Sequence, residues 1–414
     1  MFDFRDLTVG YCTNVHAGTS ATDITDNLRQ FAGPIRQRLR SDSMGVGLWI
    51  ADSAAADLST DVSGLAETLT AERLTPFTVN AFPIDDFHDA VVKRSVYQPP
   101  WWDHRRLDYT RRVASILAEL IRCDARSSVG GASTHRPMLG SVSTLPIGWP
   151  ADDTAERAKH LRLAGENLRI LADDLRRLES TTGVRVTVAI EPEPGCLLQN
   201  SGQTTEFFAA ELPETHHRRH LSICHDVCHS SVVGEDPSAV LANYRREGIE
   251  IGKLQISNGI VAPWELMANG RRREAIQQLA NFAEDRYLHQ TGRFFDGQFE
   301  LVTDLPEALA RIAIRSVDRE DPVGGDDRWV VHFHVPIFLD RFGHLTTTQD
   351  DIHLALESCL RHCQSDQFTG HIEIETYAWS VLPEAMRRRE LIDDIVDEFR
   401  WLHRAIDSVM THRS

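Results

Sequence analysis

The chain has 414 residues, 42% of them hydrophobic, and a formal charge of −17. That length supplies a core for one large α/β domain or two smaller ones, and the acidic balance argues against nucleic acid or an anionic membrane as the main partner, because both repel a negative surface. Seven cysteines at irregular spacing read as reduced thiols of a cytoplasmic protein, and no run approaches the roughly 20 apolar residues of a membrane span.

Short β-branched runs alternate with longer helix-periodic segments. In chain order the strand candidates are LTVGYCTNVH from Leu7, MGVGLWIA from Met44, TPFTVNAFP from Thr75, GSVSTLPIG from Gly140 and VRVTVAIEP from Val184. HLSICHD from His220, GKLQISN from Gly252, WVVHFHVPIF from Trp329 and GHIEIETYAW from Gly370 follow. Between them lie amphipathic segments, among them those from Leu107, from Asp152 and, near the C-terminus, from Pro383. Repeated strand-then-helix units predict a parallel sheet with crossover helices, and about eight units favour a closed (β/α)8 barrel. The competing open doubly wound sheet usually carries a Gly-rich phosphate turn after its first strand; none is present.

Residues alternate faces along a strand, and the later candidates share one polar face. Arg185, Thr187, Ala189 and Glu191 oppose Val184, Val186, Val188 and Ile190. The same parity gathers Ser222, Cys224 and Asp226, then Lys253, Gln255 and Ser257, then His332 and His334, and finally His371, Glu373, Glu375 and Tyr377. Crossover helices cover the outside of a barrel, so this face is expected to line its interior and end at a polar mouth. Glu191, Asp226, a histidine and Glu375 form an oxygen/nitrogen donor set for Mn²⁺, Mg²⁺, Co²⁺ or Zn²⁺; without an ion, paired carboxylates still do acid/base work. His229, a turn beyond Asp226, is expected to touch substrate, as are Asn14 and His16 after the first strand and the polar-face residues Lys253 and His332. Glu193 falls beyond Pro192 and is expected at the rim, holding a neighbour. A structural zinc site in CHDVCH is disfavoured for want of a second convincing cysteine pair.

The order of AIEPEPG, DVCH, a strand-end histidine and EIETY resembles the xylose isomerase-like sugar isomerase and epimerase barrels. More closely, YCTNVHAG, VNAFPIDDFH, VSTLPIGW, IEPEPGC, CHDVCH, LQISN, HFHVPIF and HIEIETYAW together resemble the EboE-type metabolite-traffic proteins. The resemblance implies a single barrel over 1–414 with an extra strand and an insertion around 258–328. It also implies a divalent metal in the mouth and a small polyol or metabolite as substrate, with a homo-oligomer or proteins of the same pathway as further partners. Carried over, Glu191 and Glu375 bind metal and serve as the acid/base pair, Asp226 binds metal, and His229 meets substrate hydroxyls. In one place the chain departs from the pattern: where a histidine is expected it has Gln255, and His334 comes far later. With nine candidate strands for eight barrel places, either Gln255 is in the ligand set and His334 sits on an additional strand, or His334 is the ligand and another strand lies outside. The preferred set is Glu191, Asp226, His334 and Glu375, because imidazole binds these metals better than a carboxamide. Two functions follow: a metal-dependent isomerase or epimerase of a sugar- or cyclitol-like compound, or a non-catalytic protein that binds such a metabolite during its handling.

Overall fold

The computed structural model describes residues 7–127, 138–315, 323, 325–362, 366–384, 386–387 and 389–411. The β-branched runs become strands: β1 (Thr8–Cys12), β2 (Met44–Trp49), β3 (Leu74–Asn80), β4 (Leu139–Thr144), β5 (Arg185–Ile190), β6 (Leu221–Asp226) and β7 (Ile251–Ile256). Beyond β7 the chain leaves the pattern and lays down β8 (Ile260–Ala262), β9 (Thr291–Phe295), β10 (Gln298–Val302), β11 (Arg328–Val331), β12 (Arg341–Phe342) and β13 (Leu345–Thr347) before β14 (His371–Ile374). Strands β1 to β7 and β14 close into a parallel barrel in which β14 pairs with both β7 and β1. The other six form a second, antiparallel sheet in the order β10, β9, β11, β8, β13, β12.

Of the nine strand candidates, eight are therefore barrel strands, and the run from Trp329 belongs to the second sheet. Its β-branched alternation is genuine, but its ladder partners are β8 and β9.

Local chemistry sets the crossover helices. The long helix Thr154–Thr182 starts where the Asp153 carboxylate accepts the amide N–H of Glu156, and it ends at Gly183 with φ +75°, a conformation that spares glycine the Cβ clash. The C-terminal helix runs Leu391–Thr411, shorter than the segment read from Pro383. Residues 385 and 388 lie outside the described set, and the rest of 383–390 is irregular chain, turn and bend.

The strands' apolar parity packs against these helices, with Val186, Val188, Ile190, Ile223, Leu254, Ile256, Ile372 and Ile374 all buried. A second core joins Trp264, Phe282, Trp329 and Phe333 of the second sheet region to Trp49 at the end of β2 and to Phe87 and Tyr377 of the barrel's loops. Burying each such side chain contributes about 1.5–3 kcal/mol, which holds the second sheet over the barrel mouth.

The polar parity fills the bore. Ser141 donates to Thr78 at 2.8 Å, Thr187 to Ser222 at 2.8 Å, and Lys253 to Ser143 at 3.0 Å. The Lys253 ammonium also meets Glu373 at 2.5 Å, both side chains fully buried. Gly47 makes room for that pair, since a Cβ there would stand 1.4 Å from Glu373 Oε1.

Candidate functional site

Each carboxylate at the mouth is fixed by the strand that carries it. Glu191 follows β5, and its amide donates to Thr144 O at 3.0 Å; Glu375 follows β14, and its amide donates to Ile256 O at 3.0 Å. Asp226 ends β6 and caps the short helix Val227–Val232, its Oδ1 accepting from the His229 amide at 2.8 Å and from Ser257 Oγ at 2.7 Å. A register shift between β6 and β7 at Ile223/Cys224 sets Asp226 opposite Gln255. Such a bulge re-aims the side chains beyond it.

His334 arrives from outside the barrel. Just past β11, its segment leaves the ladder and is pinned to the loop after β7. The Val335 amide donates to Asn258 O at 3.0 Å, and Asn258 Nδ2 donates to Pro336 O and Leu339 O at 3.2 and 2.9 Å. His334 Nε2 then stands 3.9 Å from Asp226 Oδ2, and its Nδ1 stands 3.5 Å from Glu375 Oε2. The two alternatives left by the sequence thus combine: His334 belongs to the additional strand's continuation and still reaches the carboxylates. Gln255 lies opposite Asp226 on β7, its Oε1 accepting from Cys224 Sγ at 3.9 Å and its Nε2 without a hydrogen-bond partner.

Asn14 and Asn80 both donate to Glu375 Oε1, at 2.7 and 3.0 Å. His229 meets His332 across 3.1 Å, Nε2 to Nε2. Beneath the rim Glu193 accepts from Tyr97 Oη at 2.8 Å and from Gln290 Nε2 at 3.2 Å, the holding role expected of it.

Asn14, Asn80, Glu191, Glu193, His229, His332, His334 and Glu375 line one cavity, whose wall also includes Phe82, Phe87, Val96, Tyr97, Leu288 and Tyr377. Two residues expected to touch substrate are not on this wall. Lys253 is spent one layer lower on Glu373 and Ser143. His16 bonds Tyr11 Oη at 3.0 Å and stacks on Phe31; once the first strand ends in a 3-10 turn at Thr13–Val15, the alternation that would have aimed it inward no longer applies. Asn80 and Gln290 were not singled out from sequence. Asn80 carried a usable signal, a polar residue ending a barrel strand as Asp226 does, whereas Gln290 immediately precedes β9 of the second sheet, where barrel parity says nothing.

Burial and mutual repulsion set the electrostatics. The Glu191 carboxyl is pushed well up by burial and by Glu375 and Asp226; Glu375 is raised to about 7 by burial and by Asp226, and Asp226 to about 7 by burial. Burial drives His332 and His334 well below the ordinary imidazole range, leaving lone pairs available. At Lys253 burial works against the charge, yet Glu373 holds the ammonium above its usual range.

The buried atoms Glu191 Oε2, Asp226 Oδ2 and both ring nitrogens of His334 have no hydrogen-bond partner. Such atoms are costly unless something satisfies them, and a divalent cation would take the carboxylate oxygens and one nitrogen of His334 and relieve the repulsion. Glu191, Asp226 and His229 form one close donor group, Asp226, Cys228 and His334 another, and His229, His332 and His334 a third, each with its donor atoms within 4.8 Å of one another. The donor chemistry fits a metal.

No family model matches the sequence, and no curated protein matches it. Among solved structures the chain is similar to a D-tagatose 3-epimerase-like protein, at 11% identity and a TM-score of 0.51 over 99% of this chain and 100% of that one. It is also similar to a xylose isomerase-like TIM barrel protein from Mycobacterium smegmatis in complex with magnesium, at 13% identity and a TM-score of 0.48 over 99% of both chains. The fold is a closed, eight-stranded parallel α/β barrel, as the sequence pattern predicts. Among the described residues no helix is long and apolar enough to cross a membrane.

Proposed function

We propose that the chain is a divalent-metal-dependent isomerase or epimerase of a sugar- or cyclitol-like metabolite. The observation that carries this reading is that buried His334 stands 3.9 Å from Asp226 and 3.5 Å from Glu375, with Asp226 also grouped with Glu191, and that Glu191 Oε2, Asp226 Oδ2 and the His334 nitrogens have no hydrogen-bond partner. These four residues would hold the ion, with Gln255 adjacent; a bound divalent cation supplies Lewis-acid polarisation of a substrate carbonyl. Glu191 and Glu375 are the acid/base pair. Burial makes each carboxyl hold a proton more readily than an exposed one, so each exchanges it with a carbon acid near neutral pH. Asn14 and Asn80 fix the Glu375 carboxylate by its Oε1. His229, His332 and Asn14 line the cavity where substrate hydroxyls would lie. We further infer that the second sheet is an insertion in one barrel domain, serving as the lid of this cavity.

Incubating Mn²⁺-loaded protein with ketoses and inososes in D₂O tests the reading. Deuterium is expected at the carbon next to the carbonyl, with incorporation slowed about 10²–10⁴-fold in Glu191→Gln, the usual share of general acid/base catalysis. A metal-loaded protein that exchanges none of these substrates favours the second reading, a non-catalytic metabolite carrier of the EboE type. The apolar wall formed by Phe82, Phe87, Leu288 and Tyr377 supports that reading, because it suits a ligand with a lipophilic part.

A further inference from the structure

The imidazoles of His229 and His332 face each other in an arrangement that hydrogen bonding alone does not satisfy. His229 Nδ1 lies 3.1 Å from Pro192 O, with Glu191 Oε1 and Asp226 Oδ1 at 3.8 and 3.9 Å. Every neighbour on that side is an acceptor, so Nδ1 carries the hydrogen and Nε2 a bare lone pair. His332 Nδ1 lies 2.7 Å from Gln290 Oε1. The Gln290 amide cannot be turned round, because its Nε2 faces Glu193 Oε1 and Pro194 O at 3.2 and 3.1 Å and Tyr97 Oη at 3.1 Å. His332 Nδ1 therefore also carries the hydrogen, and its Nε2 is bare as well. The two bare nitrogens stand 3.1 Å apart, on side chains that are each about 4% exposed. Either neutral tautomer change leaves a lone pair against an oxygen, and a second proton on one ring means a desolvated imidazolium, which burial disfavours.

An imidazole whose far N–H is held by a carbonyl oxygen is the usual posture of a metal-ligating histidine. His334, with both ring nitrogens unpartnered, completes a close three-imidazole group with these two. We propose that His229 and His332 hold a second, nitrogen-rich cation position beside the carboxylate set, suited to a borderline ion such as Zn²⁺ or Co²⁺; His334 adjoins both positions, and its one lone pair serves the carboxylate position. His229 turns its N–H toward Glu191 and Asp226 and its lone pair away from them, so it serves this position and not the carboxylate one. The proposal rests on the reading of the mouth as a metal centre, and the Glu193 carboxylate, 3.8 Å from His332, helps balance the added charge.

Cobalt loading of the full chain tests it. The wild type is expected to bind two equivalents of Co²⁺, with visible absorption of low-coordinate, nitrogen-rich Co²⁺. His332→Phe, which keeps a ring in the space, loses one equivalent and that absorption; Asp226→Asn loses the other equivalent and keeps the absorption. One equivalent in the wild type, unchanged in His332→Phe and lost in Asp226→Asn, overturns the second position and leaves the proposed function standing. No binding at all overturns both. Should His332→Phe fail to fold, ¹⁵N spectra of wild-type histidines decide: a second equivalent of Zn²⁺ is expected to shift two Nε2 resonances, and a second equivalent that moves none overturns the proposal.

Discussion

Deep in the barrel, polar side chains answer one another: Thr78 with Ser141, Thr187 with Ser222, and Lys253 with Glu373 and Ser143. A layer higher, Glu191, Asp226 and Glu375 crowd together, with Lys253 below them as the cation that bears on all three, and Glu191 Oε2 and Asp226 Oδ2 are left over. Both layers are buried and built from the same strands by the same alternation. Position along the strand separates a layer that cross-braces the barrel from one that holds its charge in reserve for a ligand.

Breaking the deep layer is expected to have the largest effect. Lys253→Met leaves Glu373 as an uncompensated buried charge and costs about 3–5 kcal/mol, read as a lower urea midpoint. At the mouth the outcome differs in kind. Glu375→Gln slows turnover by about 10²–10⁴-fold, yet without metal it unfolds no earlier than the wild type, since it removes repulsion; a marked loss of stability in that variant would erase the distinction between the layers. Next comes Gly47→Ala, whose methyl has no space beside Glu373. Overpacking there is expected to cost about 1–3 kcal/mol, measurable by thermal unfolding, with metal affinity unchanged.

The smallest effect concerns Glu398, on the C-terminal helix, which accepts from Thr376 Oγ1 and from the amide of Ile337 and so ties the loops carrying Glu375 and His334 to the barrel wall. Burial raises its carboxyl to about 8. The native state then keeps a proton that the unfolded chain releases near its ordinary value. The resulting stability is complete below that value and is lost as pH rises toward 8. Urea unfolding is expected to show a decline on the order of 1 kcal/mol between pH 6 and 8, flattened in Glu398→Gln.

Much of the barrel was legible because its strands obey a two-residue alternation against crossover helices. That rule alone places Glu191, Asp226, Gln255 and Glu375 on the inner face. It fails where the ladder ends. His16 lies past a 3-10 turn, and Lys253, on the right face, is claimed by a partner one layer down that no spacing in the sequence advertises. His334 was ambiguous for a different reason: its run alternates like a barrel strand, and only the pairing of β11 with β8 and β9 reveals that it reaches the site from another sheet. Asn80 shows the reverse, a residue that the rule could have found and whose hydrogen bond to Glu375 gives it meaning.

The delivery of His334 by the second sheet ties two equilibria together. An ion bound at the mouth gains one donor only while the segment after β11 is seated on Asn258, so ion occupancy and the seating of that segment reinforce each other by mass action. The ion would then act as a clasp between two sheets that share no backbone ladder. Whatever governs metal supply would also govern how firmly the cavity is roofed.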